Sequence, residues 1–140
     1  MSSKIQILSF ILTLLLFTAC QSDNAKAPHA LKQGMNKVTI LYPNGEGKTF
    51  DFDYYKASHM PMVAGFLGDN LKFYEIDKGL AGRTPGDAVP YLAVGYFYIS
   101  DISEYNKAIA ANRDAIVNDF KNYTNIQPVI QIGEIQELVE

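Results

Sequence analysis

Four short stretches of the chain have the β-branched and aromatic composition, or the alternation of apolar and polar positions, that predicts strands. Two longer stretches have apolar positions three or four residues apart, which predicts helices. In chain order the elements are a strand at 36–43, a helix at 54–66, strands at 71–80 and 91–99, a helix at 100–120 and a strand at 129–138. This βαββαβ order is typical of an α+β, ferredoxin-like fold, in which two helices cover one face of a four-stranded antiparallel sheet.

The strand at 91–99 is apolar on both of its faces, which predicts burial on both. The two rows are Leu92, Val94, Tyr96 and Tyr98 on one face and Tyr91, Ala93, Phe97 and Ile99 on the other. The helices cover one row, and a large exposed apolar row is rare in a monomer. We therefore expect a second copy of the chain to cover the other row, giving a symmetric homodimer whose two sheets form an α/β barrel.

The first predicted helix contains a proline soon after its start. Asp51 or Asp53 is placed to cap it. Pro61 lacks a backbone donor and its ring crowds the carbonyl of Ala57, so we expect a kink there. The residue before a proline is biased away from helical geometry, so Met60 should leave it.

The second predicted helix carries a start signal and an interruption. Ser100 or Asp101 is placed to cap it, with Glu104 three residues after Asp101 as in a capping box. The apolar spacing changes near Asn112, where we expect a break.

The N-terminus has the order of a secretory signal. Lys4 precedes an apolar run that is too short to span a bilayer, and small residues follow. We assign residues 1–19 to a signal peptide, whose end resembles the lipoprotein type described next, residues 20–34 to a flexible tether and residues 35–140 to the folded domain.

The sequence FTAC at residues 17–20 resembles a bacterial lipobox. The resemblance implies that Cys20 is lipidated and anchors the domain to a bacterial membrane outside the cytoplasm, in the periplasm or at the outer membrane. The alternative is ordinary signal cleavage, which would leave Cys20 as a free thiol.

Composition excludes several classes of protein. The net charge is -3, without the clustered basic face that nucleic acid requires. One cysteine and two histidines leave no set of ligands for a zinc site, so we expect no metal.

Four segments resemble the EthD family: residues 38–63 (VTILYPNGEGKTFDFDYYKASHMPMV), 74–82, 90–108 and 122–135. Together they cover about residues 36–136 in the same order, and the His-x-Pro motif at His59 and Pro61 is the most specific part. The resemblance implies the dimeric α/β-barrel superfamily, in agreement with the dimer expected from the strand at 91–99. EthD proteins are named for a role beside an ether-degrading monooxygenase and are often described as reductases.

A nucleotide cofactor is not expected. The chain has no G-x-G-x-x-G after a strand and no glycine-rich phosphate loop. A domain outside the cytoplasm also has no ready supply of NAD(P)H. The sequence therefore predicts a protein that works without a cofactor.

His59 is the candidate catalytic residue. Tyr55 and His59 are four residues apart and share a helical face. A kink at Pro61 would open a gap beside that face, where an imidazole can serve as general acid or base. The alternative is structural, with His59 bonded to the backbone carbonyl that the proline leaves free.

Tyr55, Tyr42, Tyr123 and Asn125 are the candidate substrate-binding residues. Tyr42 ends the first strand, and Tyr123 and Asn125 lie in the loop before the last strand. Hydroxyl and amide groups of this kind orient carbonyl or phenol substrates. Packing in the core or in a turn is the alternative for each.

Three functions remain open at this point. The first is an isomerase or oxidoreductase that acts on a small hydrophobic carbonyl or phenol-type molecule through His59. The second is a lipoprotein that binds such a molecule without chemistry. The third is haem binding with His59 as the axial ligand.

Overall fold

The computed structural model describes residues 31–139. Its strands are β1 (Asn36–Pro43), β2 (Leu71–Lys78), β3 (Tyr91–Ile99) and β4 (Val129–Glu134). Its helices are α1 (Phe52–Tyr54), a π-helical segment (Tyr55–His59), α2 (Met60–Leu67), α3 (Ile102–Ala111) and α4 (Arg113–Asp119), with 3-10 turns at Gly68–Asn70 and Phe120–Asn122. The proposed signal peptide, Cys20 and most of the tether lie outside the described residues.

The four strands form one antiparallel sheet in the order β2-β3-β1-β4. This is the predicted ferredoxin-like arrangement. Two of the strands have the predicted bounds, whereas β2 and β4 end earlier than expected. β4 ends at Glu134, which pairs with Asn36, the first residue of β1. Beyond it, Ile135 still bonds the backbone of Gly34 and Met35.

The helix ends follow the chemistry of their capping residues. Asp51 Oδ1 accepts hydrogen bonds from the backbone N–H groups of Asp53 (2.9 Å) and Tyr54 (3.0 Å), so it caps α1. Asp101 Oδ1 accepts from the Glu104 N–H at 2.8 Å and caps α3. The second helical region is interrupted at Asn112, as the apolar spacing predicts.

The chain accommodates Pro61 differently from the expectation. Met60 keeps helical dihedral angles, φ -63° and ψ -43°, so the predicted departure from helical geometry is wrong. The preceding turn widens instead into the π-helical segment, and the Met60 N–H bonds the Tyr55 carbonyl five residues back. A widened turn relieves the crowding around the proline ring, and such π segments are frequent at functional sites.

The core lies between the helices and one face of the sheet. Val38, Ile40 and Tyr42 of β1 and Phe97 of β3 are buried there against the helices. The opposite face of the sheet carries residues such as Val94 and Tyr96 of β3, which are only half-buried. Within residues 31–139, no helix is long and apolar enough to cross a membrane.

Candidate active site

His59 is the last residue of the π-helical segment, and its side chain is 5% exposed. Its Nδ1 lies 2.8 Å from Asp119 Oδ2. Burial lowers the pKa of His59, and this effect outweighs the attraction of the Asp119 carboxylate, which raises it. The imidazole is therefore neutral at physiological pH. Nδ1–H donates to the carboxylate, and Nε2 is left as a hydrogen-bond acceptor.

Asp119 is held by three side chains. Its Oδ1 accepts hydrogen bonds from Tyr54 Oη at 2.7 Å and from Asn122 Nδ2 at 2.8 Å, while Oδ2 faces His59. Burial by itself raises the pKa of the Asp119 carboxyl, but the hydrogen bonds from His59, Tyr54 and Asn122 together keep it below its ordinary value. A carboxylate ion is thus fixed behind the imidazole.

Two tyrosine hydroxyls continue the network on the other side of the ring. Tyr123 Oη is 3.3 Å from His59 Nε2, and Tyr42 Oη is 2.9 Å from Tyr123 Oη. Burial raises the pKa of both tyrosines, so both stay protonated at neutral pH. Because neutral Nε2 is an acceptor, Tyr123 donates to it and Tyr42 donates to Tyr123.

Tyr55 packs against the rings of Tyr42, His59 and Tyr123 but does not join their hydrogen bonds. It is 0% exposed, and its hydroxyl makes no hydrogen bond within residues 31–139. Burial, and then the nearby hydroxyl of Tyr42, raise the pKa of Tyr55, although the two hydroxyls lack hydrogen-bond geometry. The hydroxyl occupies the space above Gly95 of β3, where a Cβ atom would collide with it.

A small cavity of about 60 Å³ lies between the helices and the sheet. Tyr42, Tyr55 and His59 form part of its wall, and the remaining lining is mostly aliphatic and aromatic. Ile130 of β4 also lines it, although this residue is 56% exposed, so the helices leave the cavity thinly covered at the β4 edge. A volume of this size holds only a few small heavy atoms, since one water molecule takes about 15–30 Å³.

The structure brings four of the predicted site residues together: His59, Tyr55, Tyr42 and Tyr123. Asn125 does not join them. Its Oδ1 accepts from the Thr49 N–H at 3.0 Å, and its Nδ2 donates to the Gly47 carbonyl at 2.8 Å. Its exposed side chain therefore holds the turn after β1 in place, which is the structural role that the sequence left open as the alternative to substrate binding.

Sequence reasoning missed Asp119 and its partner Tyr54. The structural alternative for His59 assigned its hydrogen bond to a backbone carbonyl, whereas the bond goes to the Asp119 carboxylate. One signal was present in the sequence. Asp119 is the last residue of α4, and a carboxylate is disfavoured at the negative end of a helix dipole unless a specific partner holds it.

The site offers little to a metal or a large cofactor. No group of three or more His, Cys, Asp or Glu side chains able to hold a metal ion lies within residues 31–139. A haem is far larger than a cavity of about 60 Å³, and both His59 ring nitrogens already face polar partners. The geometry does not support haem ligation.

The chain is similar to solved structures of EthD-like proteins. An EthD-like protein from Ralstonia eutropha JMP134 is 39% identical, with a TM-score of 0.70, and the match covers 74% of this chain and 94% of that one. An EthD family protein from Bacillus halodurans C-125 is 21% identical with a TM-score of 0.53, covering 71% of this chain and 97% of that one. A protein from Arabidopsis thaliana shares the fold at 8% identity and a TM-score of 0.51, covering 76% and 99%. No family model matches the chain, and no curated protein matches it.

Proposed function

The chain belongs to the EthD family, and we propose that it is an enzyme that moves a proton on a small uncharged molecule without a nucleotide cofactor. One observation carries the proposal. The carboxylate of Asp119 holds His59 through Nδ1 at 2.8 Å, so that Nε2 is the basic atom, at the wall of an apolar cavity. A general base oriented in this way by a third group is a recurrent catalytic arrangement.

The chemistry follows from the protonation states. His59 Nε2 takes a proton from a carbon next to a carbonyl group, so that a C–H bond breaks, an N–H bond forms and the electron pair moves to the carbonyl oxygen as an enolate. Asp119 stabilises the imidazolium that results. The hydrogen bond of 3.3 Å from Tyr123 to Nε2 is long, which makes it easy for a substrate to replace. Where a C=C bond extends the enolate, return of the proton to the far carbon of that bond completes an isomerisation, and no oxidant or reductant is needed.

The test is deuterium exchange in heavy water. The purified protein is incubated with a panel of small ketones and aldehydes, and the loss of the signal of the proton next to the carbonyl is followed by proton NMR. We expect exchange that depends on His59 and falls by about 100-fold or more in His59→Gln, the range over which a positioned base acts. His29→Gln is the matched control, since it removes the other histidine of the chain. Equal exchange in wild type and His59→Gln would sink the proposal.

Binding without chemistry is the second candidate, and the make-up of the cavity favours it. Among the described residues that line the cavity, His59 is the one whose side chain ordinarily titrates near neutral pH. Saturable binding of a small molecule, with no exchange in any member of the panel and unchanged affinity in His59→Gln, would establish this alternative.

The family resemblance and the sheet both support a homodimer. Leu41 and Val94 lie on the face of the sheet opposite to the helices and are only half-buried, and Val129 beside Leu41 is 55% exposed. We propose that a second copy of the chain covers this face, because a self-complementary apolar face is the usual basis of a twofold interface. The barrel of two sheets follows from that pairing.

The location is also a proposal, and it rests on the sequence of residues 1–20. Lipidation of Cys20 would tether the domain to a bacterial membrane outside the cytoplasm. Cells grown with labelled palmitate should incorporate label into the wild-type protein and not into Cys20→Ala. Label in neither protein, together with a mature protein that lacks its first residues, would show ordinary signal cleavage instead.

A further inference from the structure

The hydrogen-bond network of the site runs in one direction, from Tyr42 to Asp119, and an unused donor lies beside its first member. His59 donates to Asp119, Tyr123 donates to His59 Nε2, and Tyr42 donates to Tyr123. The Tyr55 hydroxyl, beside that of Tyr42, has no acceptor within residues 31–139. The three donors of this network, Tyr42, Tyr123 and His59, each have an acceptor. The group that the Tyr55 hydroxyl lacks is therefore an acceptor, and none of the described residues supplies one at hydrogen-bond geometry.

Packing alone does not explain the Tyr55 hydroxyl. A buried donor without a partner destabilises a folded protein, and phenylalanine would fill the same volume without that penalty. The sheet also makes room for the oxygen, because Gly95 leaves open the space that a Cβ atom would take. After removal of the oxygen, the nearest atoms to that Cβ would be at ordinary van der Waals distance, 3.6 Å from Tyr55 Cζ and 3.7 Å from Met60 Cε. Tyr55 supplies the hydroxyl oxygen, and Gly95 on a different element leaves the space that this oxygen occupies.

The lining of the cavity limits the charge of the ligand. Among its described residues there is no Lys, Arg, Asp or Glu, and the imidazole of His59 is neutral. An anion such as a carboxylate would lose its hydration without gaining a cation, and an ammonium group would bring donors where an acceptor is needed. The volume of about 60 Å³ limits the ligand to a few heavy atoms.

We propose that Tyr55 Oη donates a hydrogen bond to the oxygen of a small uncharged ketone or aldehyde bound in this cavity. The choice of a carbonyl over an ether or alcohol rests on the proposed function, because only a carbonyl acidifies the neighbouring C–H bond for His59. The same hydroxyl then stabilises the enolate oxygen on which the electron pair arrives, as donors of an oxyanion hole do. The site thus pairs a base, His59 Nε2, with a donor, Tyr55 Oη.

The first measurement is the melting temperature without ligand. Tyr55→Phe removes only the unpartnered oxygen, so we expect its melting temperature to equal or exceed that of the wild type. Tyr105→Phe is the matched control, since Tyr105 also lines the cavity and its hydroxyl takes no part in the network. Tyr42→Phe, which deletes a satisfied donor at 2.9 Å, should melt lower. A clear fall for Tyr55→Phe would show that the hydroxyl is already satisfied and would overturn the proposal.

The second measurement compares two ligands of the same shape. Butanone carries a carbonyl oxygen where 2-methyl-1-butene carries a CH₂ group. Binding of each to wild type, Tyr55→Phe and Tyr105→Phe is followed by chemical-shift changes in the protein NMR spectrum. We expect Tyr55→Phe to weaken the affinity for butanone by about 3- to 10-fold, the value of one hydrogen bond, and to leave the affinity for the alkene unchanged. Tyr105→Phe should treat both ligands alike.

The outcomes separate this inference from the proposed function. No binding of butanone to the wild type, or equal weakening of ketone and alkene in Tyr55→Phe, overturns the carbonyl subsite. If Tyr55→Phe binds butanone more weakly and the alkene equally well, and no ketone exchanges deuterium, the carbonyl subsite is supported and the role of His59 as a base is overturned. Exchange that depends on His59 but is unaffected by Tyr55→Phe supports the base and overturns the subsite.

Discussion

His59 Nδ1 and Asp119 Oδ2 lie 2.8 Å apart, although 60 residues separate them in the chain. The bond joins the π-helical segment that follows the first strand to the end of the helix that precedes the last strand. The carboxylate of Asp119 is also held by hydrogen bonds from Tyr54 and Asn122 to its other oxygen. The orientation of the ring is thus set by the packing of two helical regions and does not depend on a ligand.

The neutral, buried imidazole makes stability depend on pH. Burial lowers the folded-state pKa of His59 below its ordinary value of 6.5. Its contribution to stability is therefore complete above pH 6.5. As the pH falls below 6.5, the unfolded chain binds a proton before the folded chain does, and stability is lost. We expect the free energy of unfolding, measured with urea, to fall between pH 6.5 and pH 5 by at most about 1.4 kcal/mol per unit.

The control for this prediction is a comparison of slopes. His59→Gln removes the group that titrates, so its stability should change less over the same interval, whatever its absolute value. His29→Gln should keep the wild-type slope. A wild-type slope of zero would mean that folding leaves the pKa of His59 unchanged, and a slope of opposite sign would mean that folding raises it.

Gly95 and Tyr55 should be coupled in stability. A Cβ at position 95 would collide with Tyr55 Oη, so Gly95→Ala should cost about 1–3 kcal/mol through overpacking. In a Tyr55→Phe background the oxygen is absent, and most of that loss should be recovered. Urea denaturation of the two single variants and the double variant gives the interaction energy. Additive effects would show that the two positions do not share this space.

Asn125 should matter for folding and not for the site. Its side chain bonds the backbone of Thr49 and Gly47 and not a member of the His59 network. We expect Asn125→Ala to lower the free energy of unfolding by about 1 kcal/mol and to leave deuterium exchange by the folded protein unchanged. Gln127→Ala, an exposed neighbour, is the control for stability. A large loss of exchange in Asn125→Ala at full folding would restore its predicted role in substrate binding.

The open face of the sheet should be the dimer interface. Leu41 lies between Val94 and Val129 in the register of the sheet, so Leu41→Lys places a charge at the centre of the proposed contact. We expect sedimentation equilibrium to show a dimer for wild type and a monomer for Leu41→Lys. Ala115→Lys, at an exposed helix position, should remain dimeric. A wild-type protein that stays monomeric at high concentration would exclude this pairing.

Most of the fold was predictable because its signals are local. The alternation and composition of residues 36–43 and 91–99 predict β1 and β3 with their observed bounds, since side-chain period and β propensity are properties of short segments. The caps at Asp51 and Asp101 are likewise local chemistry. The end of β4 was not predictable from its own residues, because it depends on the register of its pairing with β1.

The sequence by itself therefore determined the order and type of the elements, and placed Tyr55 and His59 on one helical face. The tertiary structure decided which residues those two side chains meet. In the folded chain His59 bonds the carboxylate of Asp119, and Asn125 bonds the backbone of a turn. The Tyr55 hydroxyl lies above Gly95 without an acceptor among the described residues. The reason is physical. A period of two or 3.6 residues is written into neighbouring side chains, whereas a contact across 60 residues depends on strand register and helix packing, which arise only when the whole chain folds.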